Sequence, residues 1–242
     1  MRPLPTRDEL YAALPHSLLL RQLAVRWADE RPAYALGGAV AMYHAWDTDR
    51  NLVVVGDPAD ALTLTRAIRE RDPDPGLVTS VPEDAGKHLV AEDGYAAYEG
   101  WAYRWTTGTP PIDDNAAQWL ADGDAGEVAD VLGRGFPDAS MQVGDPAVRR
   151  WAGLRRNGRL VAVAADATAA GAPGFLASIA SDPEVRGTGA GLAVTAWATA
   201  ELLREQAACG LWHMAGNAPA ATLYTRLGFR DDDRMMVAVP PE

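Results

Sequence analysis

Residues 175–208 read FLASIASDPEVRGTGAGLAVTAWATAELLREQAA. An apolar strand, a turn with glycines at 187, 189 and 191, and a long helix from Ala190 follow one another. The first N–H groups of a helix have no intrahelical acceptor and sit at the positive end of its macrodipole. They form an anion site, and the glycines let a phosphate approach the backbone closely. The run is not a Walker loop, because no Lys-Ser or Lys-Thr follows the last glycine. It also fails the dinucleotide pattern G-x-G-x-x-G, whose third glycine would fall at Leu192.

Working outward, Gly210 suits the left-handed position just past a helix end. Residues 211–216 (LWHMAG) read as a strand, Asn217 opens a helix over 218–228, and 234–240 form a last strand. Upstream, Asn157-Gly158 signals a hairpin leading into the strand RLVAVAAD, residues 159–166. Residues 167–174 read as a loop of small residues. Residues 148–154 are expected to end a helix, 124–133 to form another, and Asp113 or Asp114 to cap one ending near Gly123. Pro110-Pro111 forbids helix through 106–114, so a linker is placed there. Before it, residues 7–29 read as helix interrupted at Pro15, while 35–46 and 51–57 read as strands joined by a polar turn at Asp47–Arg50. Asp57 caps a helix over 58–71 with Pro58 at its first position. Residues 76–81 read as strand, 82–93 as helix and 94–105 as an aromatic strand. The layout is α/β with a mixed sheet, divided into domains 1–108 and 109–242.

The chain has 242 residues and a formal charge of −11. Eleven basic residues face 18 acidic ones up to residue 115, and 11 face 15 beyond it. Neither half has the basic footprint of a nucleic-acid binder. The arginines at 149, 150, 155, 156 and 159 read as a solvated helix end and turn. An acidic surface favours cationic partners such as amines. One cysteine, Cys209, excludes a disulfide framework, and His16, His44 and His88 are too scattered to suggest a metal. The apolar runs are too short for a membrane span, and the opening MRPLPTRDEL lacks the apolar core of a secretory signal. A cytoplasmic protein is expected.

Arg186-Gly187-Thr188-Gly189-Ala190-Gly191 is similar to the R/Q-x-x-G-x-G/A acyl-CoA loop of the GNAT N-acetyltransferases. Asn217 to Phe229, NAPAATLYTRLGF, fits that family's later N-x-x-A-x-x-L-Y-x-x-x-G-F signature. The two occur in the family's order, and the resemblance covers about residues 114–239. It implies an acyl-CoA N-acyltransferase (GNAT) fold in the C-terminal half, preceded by a smaller, degenerate GNAT-like α/β half without a glycine loop. It further implies acetyl-CoA as co-substrate and a primary amine of a small molecule or peptide as acceptor. The protein would be a monomer or homodimer. Backbone groups of Ile179, Ala180 and Ser181 would pair with the pantetheine arm. The N–H groups of Arg186, Gly187, Thr188, Gly189, Ala190 and Gly191, with Leu192, would hold the pyrophosphate, and the Arg186 side chain would help orient it. Asn217 matches a cofactor-arm contact, although it equally suits a helix cap.

Transfer requires a neutral amine, a polarised carbonyl and a protonated leaving thiolate. Strand N–H groups serve the second demand, and Tyr224 matches the family's proton donor for the third. The base is open. FLASIAS lacks the family's carboxylate, leaving Asp166, His213 or a water chain. That gap also admits a different class, a non-catalytic acyl-CoA-binding protein, and a third, an oligomeric scaffold paired through the upstream half. Trp101, Tyr103 and Trp105 share one strand face that either lines a cleft or packs a sheet.

Overall fold

A computed structural model describes residues 1–27, 31–44, 51–74, 76–111 and 117–241. The chain divides into two compact units. One comprises Met1–Tyr103, His213–Ala218 and Asp231–Glu242, the other Arg104–Trp212 and Pro219–Arg230.

The first unit runs β1 (Arg2–Leu4), α1 (Arg7–Ala13), α2 (Leu18–Leu23), β2 (Ala33–Leu36), β3 (Ala39–His44), β4 (Asn51–Gly56), α3 (Pro58–Arg71), β5 (Val78–Pro82), α4 (Glu83–Asp93) and β6 (Ala96–Thr106), whose last residues fall in the second unit. The strands β1 to β4 pair antiparallel in sequence order, and β5 joins β4 in parallel. Residues 35–46, expected as one strand, contain a hairpin turn instead. Gly37 takes φ +54, and the Asp60 carboxylate accepts the Gly38 N–H at 2.7 Å. An unbroken apolar run hid that turn. The expected turn at Asp47–Arg50 and the caps Asp113 and Asp114 lie outside the described residues.

The second pass runs β7 (Ala117–Trp119), α5 (Ala125–Gly135), β8 (Arg150–Arg156), β9 (Arg159–Asp166), β10 (Gly174–Ser181), α6 (Ala190–Glu205), β11 (Cys209–Met214), α7 (Ala218–Arg226) and β12 (Arg230–Val239). The strands β7 to β10 pair antiparallel, and β11 joins β10 in parallel. The chain thus runs twice through one order of elements, although residue identity shows no repeat. From Asp231 onward, β12 belongs to the first unit, where Met235 pairs with Pro82 of β5.

Two expectations fail in this pass. The helix ending near Gly123 is replaced by β7, and the helix end at 148–154 is strand β8. Gly153 explains the second. A Cβ there would lie 2.6–2.7 Å from methyl groups of Leu120 and Leu160, so one strand position carries no side chain and the alternation is broken. The nearby arginines are correspondingly not a solvated helix end. Arg150 lies 3.9 Å over the Trp119 ring and pairs with Asp166, while Arg155 pairs with Asp124 and Glu127.

Alternate residues of β9 face opposite layers. Ala162 and Ala164 meet Val194, Ala198 and Leu202 of α6, while Val163 meets Val128, Val131 and Leu132 of α5. This two-sided burial fixes where α6 begins. Leu202 is fully buried, so Leu202→Ala should cost about 2–5 kcal/mol in denaturant unfolding with an unchanged m-value. A cost below about 1 kcal/mol would mean that α6 is not packed in this way.

Candidate functional site

Three helices of this chain close their own amino ends with a side chain. Thr6 and Ser17 hydroxyls cap α1 and α2, and the Asp57 carboxylate accepts N–H bonds from Ala59 and Asp60 at the start of α3. Helix α6 does not. Its cap is Gly189, at φ +85, with no side chain to accept a bond and no acidic residue in the first turn. The first intrahelical bond runs from the Ala193 N–H to the Gly189 carbonyl at 2.9 Å. The N–H groups of Gly187, Gly189, Ala190, Gly191 and Leu192 have no acceptor among the described residues. A Cβ on Gly187 or Gly189 would meet nothing within 4 Å, so the space over them is open. Five donors at the positive end of a 16-residue helix favour an anion.

Two of the amides expected in this set are corrected by the structure. The Arg186 N–H bonds the Pro183 carbonyl at 3.3 Å, and the Thr188 N–H bonds Val185 at 3.2 Å. They shape the turn. Its side chains brace it further, with Arg186 Nη2 donating to the Gly135 carbonyl at 3.0 Å and Thr188 Oγ1 donating to Val185 at 2.7 Å. Beneath it, the buried Asp182 accepts the Glu184 N–H and pairs with Arg134 and Arg159. The Glu184 N–H, then the two guanidinium groups, hold the Asp182 carboxyl below the usual carboxylate range.

The strand leading into the turn opens on one side. Strands β10 and β11 pair only at Gly174 and Phe175, so Leu176 to Ser181 have no partner on β11. On the β9 side, Ala177 pairs with Ala165 and Ala180 with Val163, three residues against two. The extra residue makes a bulge at Ser178, whose φ of +46 is unusual for a residue with a side chain. Ser178 Oγ accepts the Met141 N–H at 2.9 Å and holds the bulge. Past the bulge, the Asp182 N–H reaches back to Val161 of β9. By strand alternation, Ser181 and Ile179 present their backbone groups to the open edge, and Ala180 faces β9. A side chain on Gly191 would meet Leu223 at 3.7 Å and Ser181 Oγ at 4.0 Å, so β10, α6 and α7 converge here.

Residues 151–237 match a family model described as FR47-like protein. Solved structures align over nearly the whole chain. A GCN5-related N-acetyltransferase from Kribbella flavida is 20% identical, with TM-score 0.62 over 94% of this chain and 96% of its own. A GNAT-family acetyltransferase from Novosphingobium aromaticivorans is also 20% identical, with TM-score 0.54 over 85% and 89%. A tandem GNAT protein from the clavulanic acid biosynthesis pathway is 15% identical, with TM-score 0.52 over 100% and 98%. No curated protein matches in sequence.

The chain has the GNAT fold.

In this GNAT fold Tyr224 is buried on α7, its ring centroid 5.9 Å from that of Phe229. Burial pushes the Tyr224 phenol up to about 12, against a smaller opposing effect of Arg104. It therefore stays protonated at neutral pH. Asp166 is fully buried and engaged on both oxygens, by the Thr168 N–H at 3.0 Å and by Arg150 and Arg149 at 2.9 and 3.5 Å. The structure places this base candidate as a tie between β8 and β9. His213 and Asn217 fall in the first unit. His213 Nδ1 donates to the Met214 carbonyl at 2.8 Å, and the Asn217 N–H bonds the same carbonyl at 3.0 Å.

Trp101 and Tyr103 are buried, and Trp197 meets Trp119 edge-on at 5.1 Å. Burial pushes the Cys209 thiol up, so it remains a thiol. Among the described residues no group of His, Cys, Asp and Glu could hold a metal, and no helix is long and apolar enough to cross a membrane. Sequence reasoning missed Ser178 and Arg156, which donates to Thr188. Neither carries a signal, because a non-glycine bulge and a contact 32 residues apart have no local pattern.

The phenol state is directly measurable. In alkaline difference spectra, wild type minus Tyr224→Phe should show no phenolate absorbance below about pH 11. A difference near pH 10, the ordinary tyrosine value, would contradict burial of that hydroxyl.

Proposed function

We propose that this chain is an N-acetyltransferase that moves the acetyl group of acetyl-CoA onto a primary amine of a small molecule or peptide by direct attack. The supporting observation is the bare amino end of α6 beside an open, bulged strand edge. Its five unpaired N–H groups suit the pyrophosphate, and the free backbone groups of Ile179 and Ser181 suit an extended amide-bearing arm.

Acetyl-CoA supplies an activated acyl carbon in its thioester. A β10 backbone N–H beside the bulge at Ser178 polarises the thioester carbonyl. As the new C–N bond forms and the C–S bond breaks, Tyr224 donates its proton to the leaving sulfur. The amine proton passes to water. Asp166 takes no part. The acidic surface suits a cationic acceptor, and we place the protein in the cytoplasm as a monomer or homodimer.

The repeated order of elements supports reading the first unit as a second, degenerate GNAT copy. There the matching helix start is closed by Asp57, with Asp60 in its first turn. The Asp57 carboxylate satisfies the Ala59 and Asp60 amides, and both carboxylates repel phosphate. Calorimetry should therefore give one acetyl-CoA per chain; two would contradict this account of α3.

Gly189→Asp places a carboxylate in the anion site at a left-handed φ, and should raise the acetyl-CoA Kd by about a hundredfold or more while the fold survives by circular dichroism. Tyr224→Phe should lower kcat by about a hundredfold with cofactor affinity little changed. Unchanged affinity in the first variant would sink the loop assignment. Tight acetyl-CoA binding without turnover across a broad amine panel would favour a non-catalytic binding protein, a reading motivated by the missing carboxylate in FLASIAS.

A further inference from the structure

The arginines around the α6 turn differ in one respect. Arg134 and Arg159 are neutralised by Asp182 and Glu184, and Arg155 on the same hairpin by Asp124 and Glu127. Arg156 and Arg186 have no carboxylate partner among the described residues, and Arg186 is turned to the Gly135 carbonyl. Arg156 Nη1 donates to Thr188 Oγ1 at 2.7 Å and its Nη2 to the Thr188 carbonyl at 3.3 Å. A guanidinium has five N–H donors in a rigid fork, so three remain. An uncompensated charge thus stands at residue 188, next to Gly189 and the five bare amides, in a protein whose net charge is −11.

The amides already suit the two phosphates of a pyrophosphate, each carrying about one charge. A monoester phosphate is different, with nearly two charges and three terminal oxygens. A planar fork matches it two-pronged. We propose that Arg156 reads the 3′-phosphate on the ribose of CoA, and so makes the site prefer CoA over carriers that lack this group. This rests on the acyl-CoA reading of the α6 turn.

The test is calorimetric titration of wild type, Arg156→Met and Arg156→Lys with CoA and with 3′-dephospho-CoA. Wild type should bind CoA more tightly by about ten- to a hundredfold, the range of a charge-assisted hydrogen bond. Arg156→Met should lose that preference by weakening CoA alone, and Arg156→Lys should restore part of it. Equal weakening of both ligands would make Arg156 only a brace for Thr188 and overturn the proposal. Unchanged affinity for both would overturn it too. Wild type that binds neither ligand would remove the acyl-CoA reading itself, and the proposal with it. Thermal melts of the variants verify that each is folded.

Discussion

A helix that begins in water without a side-chain cap forgoes about 1 kcal/mol of stability. Helix α6 accepts that cost at Gly189, and everything proposed for the second unit depends on it. The cost is bearable because α6 is anchored elsewhere, by Val194, Ala198 and Leu202 buried against β9 and β10. Burial along the helix fixes where its amino end points, and the bonds of Arg186, Thr188 and Asp182 fix the turn that delivers it. The amides are then oriented before any ligand arrives, which lowers the ordering cost of binding.

A second departure from regularity sits one strand earlier. Ser178 adopts a left-handed backbone that a side chain resists by about 1–2 kcal/mol, and the Met141 N–H compensates by bonding its hydroxyl. The bulge and the early end of β10–β11 pairing together free one edge of a central strand. Such an edge invites an extended partner. The first unit contains the same order of elements, yet its helix start is closed by Asp57. One order of elements occurs twice, and a single capping residue separates a bare helix start from a self-satisfied one.

Where local chemistry decides, the sequence was informative. Asn157-Gly158 turns as expected, both at positive φ, and Asp57-Pro58 starts α3 as its cap and first residue predict. The helix from Ala190 and its glycine turn also stood out. Elements decided by packing were opaque. Gly153 is small because Leu120 and Leu160 fill its place, so β8 shows no alternation. The Gly37 turn is silent inside an apolar run, and β7 has only three residues. The inward bonds of Arg186 and Thr188, the pairing of Asp166 with Arg149 and Arg150, and the return of β12 to the first unit are long-range or conformational facts. No window of neighbouring residues encodes them.

The central claim is that particular backbone N–H groups, and not the turn as a whole, receive the phosphates. Amide chemical shifts of nitrogen-15-labelled protein titrated with CoA resolve this group by group. The account predicts the largest downfield proton shifts at Gly187, Gly189, Ala190, Gly191 and Leu192. Arg186 and Thr188 should move little, and Ala59 and Asp60 in the first unit should not respond. Uniform shifts across 186–192, or responses centred away from the start of α6, would contradict it.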